Sequence, residues 1–289
     1  MTLRPHAVLL LLALSASLAA CGSNRAKDGP PRSGSAFIPE LPDDAVPRPE
    51  PRSRYGNGPV YEVLGKRYTV MQSSDGYKER GVASWYGKKF HNKMTSMQEP
   101  YDMHAMTAAH KSLPLPTYVR VRNLRNDRSV IVRVNDRGPF VHNRIIDLSY
   151  SAARKLDMIG TGTSIVEVEA IGFDEPSGDR PTRQTLPEAP PAVASAPAAV
   201  PAVATAPEPV SSRKIFVQIG AFGDRENAER RLARLRSAGI GTGFILVDTN
   251  SDPALYRVRV GPIKGVLQYD ILVEELENLG INDPYLVTD

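Results

Sequence analysis

Between Val130 and Asn135 the chain alternates strictly. Val130, Val132 and Val134 take one face, and Ile131, Arg133 and Asn135 take the other, which is the two-residue period of a strand. Arg137-Gly138-Pro139 ends the run, because glycine permits irregular backbone and proline cannot donate to a sheet ladder. Asp136 is left at the tip of a rigid element. A turn-forming aspartate is the ordinary meaning of such a residue, so its significance depends on what surrounds it. Thr117 to Asn123 alternates in the same way and is joined to the first strand by a turn at Arg125-Asn126-Asp127-Arg128. Val82 to Tyr86 reads as a strand ending at Gly87, and Ile165 to Ile171 as another. Ser149 to Leu156 has helical spacing through Ala152, Ala153 and Leu156. Short strands, little helix and Gly/Pro punctuation predict a small β-barrel over residues 79–172.

Residues 213–289 carry a different pattern. Ile215–Phe222 is a strand. Asp224 caps a helix with Ala228, Leu232 and Leu235 on one face, closed by Gly239. Phe244–Val247 and Leu255–Val260 are strands, Gly265–Leu279 is a second helix, and Tyr285–Val287 is a last strand. The order β-α-β-β-α-β predicts a ferredoxin-like α+β sandwich. Gln218 and Tyr256 are candidate ligand contacts on its sheet.

Composition separates these modules. Residues 173–212 hold nine prolines and nine alanines, in runs such as APPAVASAPAAVPAVATAPEP, and such a segment behaves as a spacer. Residues 21–78 contain a proline-rich tether and an extended lead-in, with too little apolar surface before about residue 54 to offset the entropy of ordering. Residues 1–20 have the form of a signal peptide: Arg4, then an apolar run from Ala7 to Ala19 that is short for a bilayer span. Cys21, the only cysteine in 289 residues, cannot form an internal disulfide. It follows Leu18-Ala19-Ala20 and resembles a bacterial lipobox, which implies lipidation at Cys21 and a membrane anchor to which each buried methylene contributes about 0.8 kcal/mol.

The formal charge of +4 is unevenly spread. Residues 79–172 carry 14 Lys+Arg against 9 Asp+Glu, a net +5, whereas residues 213–289 are net −1 from 10 against 11. An exported lipoprotein meets no nucleic acid in its normal compartment, so the basic module suits a carboxylate-bearing polymer instead. The K/R-G-F/Y-G/A-F-V signature of an RNA-binding sandwich is absent.

Seven motifs fall in one order across about 90 residues. They are GVASWYG from Gly81, Phe90-His91, Glu99-Pro100-Tyr101-Asp102-Met103, MTAAHK from Met106, Leu113-Pro114-Leu115-Pro116, VNDRGPF from Val134, and RIIDLS from Arg144. Together they resemble the rare lipoprotein A family. The resemblance implies a double-psi β-barrel followed by a SPOR domain, the latter echoed in FVQIGAF and LYRVRVGPI. It also implies a lytic transglycosylase acting on peptidoglycan, and a SPOR domain that binds glycan strands lacking stem peptides. Gly22 after the cysteine, rather than Asp, fits outer-membrane sorting. The expected location is the periplasmic face of a Gram-negative outer membrane, at the division septum, where division-machinery proteins are possible partners.

Breaking a glycosidic bond requires a proton on the leaving oxygen while positive charge develops at the anomeric carbon. A lytic transglycosylase uses the sugar's own C6 hydroxyl in place of water, so one acid can protonate the leaving group and then take the C6 proton. The product is a 1,6-anhydro-muramic acid end. Asp136 is the expected acid, since related barrels, expansins included, place an Asp similarly. Glu99, Asp102 and His110 match residues the family implicates, with the carboxylates tuning the acid and His110 orienting one of them. Arg133 and Arg137 are candidate contacts to substrate carboxylates. Family members show glycine before the glutamate of the acidic loop, whereas this chain has Gln98. No cofactor or metal is expected, because His91, His104 and His110 lack the i, i+4 spacing of a zincin. Ser84, His110 and Asp136 lack a nucleophile elbow. The alternative reading is a non-catalytic, expansin-like protein that binds or loosens wall polymer.

Overall fold

A computed structural model describes residues 40–172, 213–282 and 284–289. The signal segment, Cys21 and the Pro/Ala linker therefore lie outside the described residues. Strands β1 (Val60–Val63) and β2 (Lys66–Thr69) form an antiparallel hairpin. Its two-residue turn puts Leu64 at φ 53° and Gly65 at φ 73°, the primed geometry that matches strand twist.

Strands β3 (Lys78–Trp85), β4 (Thr107–His110), β5 (Thr117–Asn123), β6 (Ser129–Asp136), β7 (Arg144–Leu148) and β8 (Thr163–Ala170) close into a barrel in the order β3-β7-β4-β6-β5-β8. The pairs β3–β7 and β4–β6 are parallel and the remainder antiparallel. Val119, Val121, Val130, Val132, Val134, Ile146, Leu148, Val166 and Val168 fill the interior, each at most 2% exposed. Helix α1 (Tyr150–Lys155) plugs this core with Ala152 and Ala153, and Ser149 caps it by accepting from the Ala152 amide.

The lead-in is strapped to this wall. Ala45 N donates to Ile131 O, and Asp44 accepts from Ile131 N and pairs with Lys155. Ser53 N donates to Leu115 O. Proline-rich composition points to a spacer here, but these hydrogen bonds fix residues 44–53 along the barrel.

The second module consists of β9 (Ile215–Phe222), α2 (Arg225–Ser237), β10 (Gly243–Asp248), β11 (Leu255–Val260), α3 (Val266–Asn278) and β12 (Tyr285–Thr288). Its antiparallel sheet has the spatial order β10-β11-β9-β12, the ferredoxin-like arrangement. Ile215, Val217, Ile219, Val258 and Val260 meet Ala228, Leu235, Leu272 and Leu276 of the helices. Val82, Leu124 and Ile165 of the barrel join this same cluster, each at most 1% exposed.

Candidate active site

The site lies at the end of β6. Strict alternation would carry Asp136 to the valine face, inside the barrel. The register instead shifts between Ala108 and Ala109: Ala108 pairs with Val134, and Ala109 pairs with Asp136. Asn135 is the extra residue, and this β-bulge turns Asp136 outward.

A tight loop then closes over the acid. Thr95 N donates to Glu99 O at 2.8 Å, and Gln98 N to Thr95 O at 2.9 Å. From this loop Ser96 donates to Asp136 Oδ1 through its amide and its hydroxyl, both at 2.7 Å. The Arg137 amide adds a third donor at 2.7 Å. Gln98 has φ 65°, so the loop keeps the left-handed bend that glycine would take without strain.

Glu99, on the same loop, is bound to β6. Arg133 donates from Nη1 to Oε2 at 2.8 Å and from Nη2 to Oε1 at 3.1 Å, and Asn135 Nδ2 adds a bond of 3.0 Å. Burial opposes the charge on Glu99, but these donors outweigh it and hold the carboxyl below its ordinary range. The other side of the same guanidinium grips Glu50 of the lead-in, with bonds of 2.8 and 3.0 Å. The hydrogen bonds from Arg133 hold Glu50 down to about 2. Arg133 thus clamps two carboxylates.

The remaining candidates are placed differently. Arg137 is 9% exposed and donates to the carbonyls of Gly56, His110 and Leu113 and to Asn57 Oδ1. It staples the loops around the site together. His110 is 2% exposed. Its Nδ1 accepts from the amides of Ser112 and Leu113, and its Nε2 meets Tyr77 Oη at 2.8 Å. Burial, then the nearby Arg137 and Lys111 charges, lowers it to about 3, so the ring is neutral. Its partner chain runs through Tyr77 to Glu79, away from the acidic loop. Asp102 is exposed, with its Oδ1 accepting from the His104 amide and lying 3.7 Å from His91 Nδ1. The structure therefore brings Asp136, Glu99 and Arg133 together under one loop and leaves Asp102 among histidines on a neighbouring turn. Among the described residues, no group of three or more His, Cys, Asp or Glu is placed to hold a metal ion.

Residues 78–168 match the family model described as "Lytic transglycolase", and residues 211–288 match that of the SPOR domain. A relative from Pseudomonas aeruginosa (strain UCBPP-PA14), named endolytic peptidoglycan transglycosylase RlpA, is 38% identical over 274 residues, covering 84% of this chain and 80% of that protein. The chain belongs to the RlpA family. A Vibrio cholerae relative of the same name is 52% identical over 139 residues, 48% of this chain and 52% of that protein.

In this RlpA-family chain the sheet face of the SPOR domain opposite the helices carries a polar row. Gln218 of β9 pairs with Arg259 on one side and Tyr285 on the other. Arg259 Nε donates to Gln218 Oε1 at 3.2 Å, and Gln218 Nε2 donates to Tyr285 Oη. Gln218 is only 1% exposed, so Arg259 and the half-exposed Tyr285 present the row to solvent. Tyr256 packs against the core of this domain instead. Sequence reasoning did not single out Arg259 or Tyr285; the signal was the position of Gln218 among core residues 217 and 219, which assigns its paired neighbours to the open face.

One further acid escaped the sequence reading. Asp147 of β7 accepts a hydrogen bond from Ser84 Oγ, and Ser84 Oγ accepts from Arg144 Nη1 at 2.9 Å. Burial pushes the Asp147 carboxyl up, and Ser84, Arg144 and Lys111 only partly counter it. The motif RIIDLS contained this residue, but without alternation around it nothing gave its orientation.

Proposed function

We propose that this chain is an endolytic lytic transglycosylase that cuts peptidoglycan glycan strands, prefers strands without stem peptides, and leaves 1,6-anhydro-muramic acid ends. The observation that carries the reading is Asp136, turned out of the barrel by a bulge and fixed by three donors beneath the Glu99 loop, in a domain whose relatives bear the transglycosylase name. Substrate carboxylates are not the role of Arg133 or Arg137 here, since their guanidinium groups serve Glu50, Glu99 and loop carbonyls. Glu99 acts through the clamp: it holds the loop that carries Ser96, and Ser96 orients Asp136. The neutral His110 supports the loops stapled by Arg137. Lipidation at Cys21 anchors the chain to the outer membrane, and the SPOR domain gathers it on denuded strands at the division site.

The test is digestion of purified, peptide-free glycan followed by mass spectrometry of the soluble products. Anhydro ends are expected from the native chain, and Asp136→Asn is expected to reduce their release by a factor of 100 or more. Reducing ends would identify a hydrolase. No cleavage by a folded, glycan-binding chain would identify an expansin-like binder.

A further inference from the structure

Strand register places Asp147 relative to Asp136. Ala109 of β4 pairs with Asp136 on one side and with Asp147 on the other, and Asp147 pairs in turn with Ser84 of β3. Residues directly opposite one another on adjacent strands share a face. Ser84, Asp147, Ala109 and Asp136 therefore form one row across four strands on the outside of the barrel, while Ile146 and Leu148 point into its core. Two strand spacings, about 9.5 Å between Cα atoms, separate the two acids. The residue between them contributes only a methyl group.

The two carboxyls have different surroundings. Three donors converge on Asp136 Oδ1, an arrangement that complements a fixed anion. Asp147 is partly buried and receives one hydroxyl, with Lys111 and Arg144 as its cationic neighbours, Asp136 as an anionic one and Tyr86 within electrostatic reach of both acids. Burial favours the neutral acid, and two acids whose environments differ in this way divide the roles of proton carrier and anion.

We propose that Asp147 is the proton carrier of the reaction and that Asp136 is the fixed anion facing the developing oxocarbenium; this assignment rests on the transglycosylase reading. The Asp147 O–H proton passes to the glycosidic oxygen as the bond from that oxygen to the anomeric carbon breaks. The C6 hydroxyl oxygen then bonds to the anomeric carbon, and its proton goes to the Asp147 carboxylate. No water is consumed, and the acid is regenerated. Ser84 is a positioning residue whose hydrogen bond favours the charged form of Asp147.

The experiment uses the full chain and peptide-free glycan. Asp147→Asn can still accept from Ser84, so its melting temperature and its binding to sacculi are expected to match the native chain, while anhydro-product release falls about a thousandfold. Ser84→Ala removes a contact that lowers the Asp147 pKa. The basic limb of the pH–rate profile is therefore expected to move to higher pH in this variant. Native rates in Asp147→Asn, or an unmoved limb in Ser84→Ala, overturn the assignment even if the native chain makes anhydro products. Should Asp147→Asn fail to fold, the Ser84→Ala profile decides alone. A native chain that releases no anhydro ends overturns the transglycosylase reading itself, a distinct result.

Discussion

Gln98 shows what one residue contributes to the acidic loop. At φ 65° a side chain with a Cβ costs about 1–2 kcal/mol relative to glycine, and glycine returns part of that gain through its greater freedom in the unfolded chain. The loop holds the bend because it is fixed on both sides, by Ser96 on Asp136 and by Glu99 on Arg133. Gln98→Gly is therefore expected to raise the barrel's melting temperature by about 4 °C without changing product release. Calorimetry checks this, and a lowered melting temperature would mean that the Gln98 side chain stabilises the loop in another way. Departure from the family's glycine was legible in the sequence, but its consequence was not, because backbone conformation depends on both flanking contacts. The same holds for His110. A motif singled it out, whereas its placement follows from strand parity: two residues beyond core residue Ala108, it turns away from the face that Ala109 shares with the two acids.

At the level of elements, alternation identified β5, β9 and β11 with the bounds the structure shows, because one face of each is polar or partly exposed. β4 and β7 went unread. β4 is buried at three of its four residues and β7 sets Ile145 beside Ile146, so neither TAAH nor RIIDL carries a two-residue period of apolar and polar residues. The bulge at Asn135 was equally silent, since a register shift depends on the partner strand. Composition misled in another way at residues 44–53. Prolines there predict a spacer, but the segment's polar side chains are matched to the barrel, most clearly where Glu50 meets Arg133 and Tyr118. That strap is sensitive to acid. The pKa of Glu50 is depressed in the folded chain, from 4.5 to about 2, so its contribution is full above about pH 4.5 and is lost as pH falls through about 2. Glu50→Gln is expected to lower the melting temperature at pH 7 and to flatten its fall between pH 4.5 and 2. Thermal melts of both chains across that range provide the measurement; parallel curves would show that the strap contributes nothing.

For the whole molecule, composition suggests a division into modules, because a Pro/Ala-rich stretch cannot build a core. The contact between the modules was not legible: Val82 and Ile165 read as ordinary strand residues, and only the structure shows them sharing a cluster with the SPOR helices. On the proposed function the chain carries two glycan-directed surfaces, so binding to the wall is bivalent and the second contact is intramolecular, set by an effective concentration. The same proposal assigns attachment to the SPOR row and cleavage to the barrel. Arg259→Ala combined with Tyr285→Ala removes the partly exposed and the exposed member of that row and leaves the core residues Val217, Val258 and Leu286 untouched. Binding to purified sacculi, measured by co-sedimentation, is expected to weaken about a hundredfold. Product release from short soluble glycans, too small to span both modules, is expected to stay at the native rate. A double variant that loses both activities together would mean that the row serves the catalytic cleft directly, and one that loses neither would remove the row from glycan binding.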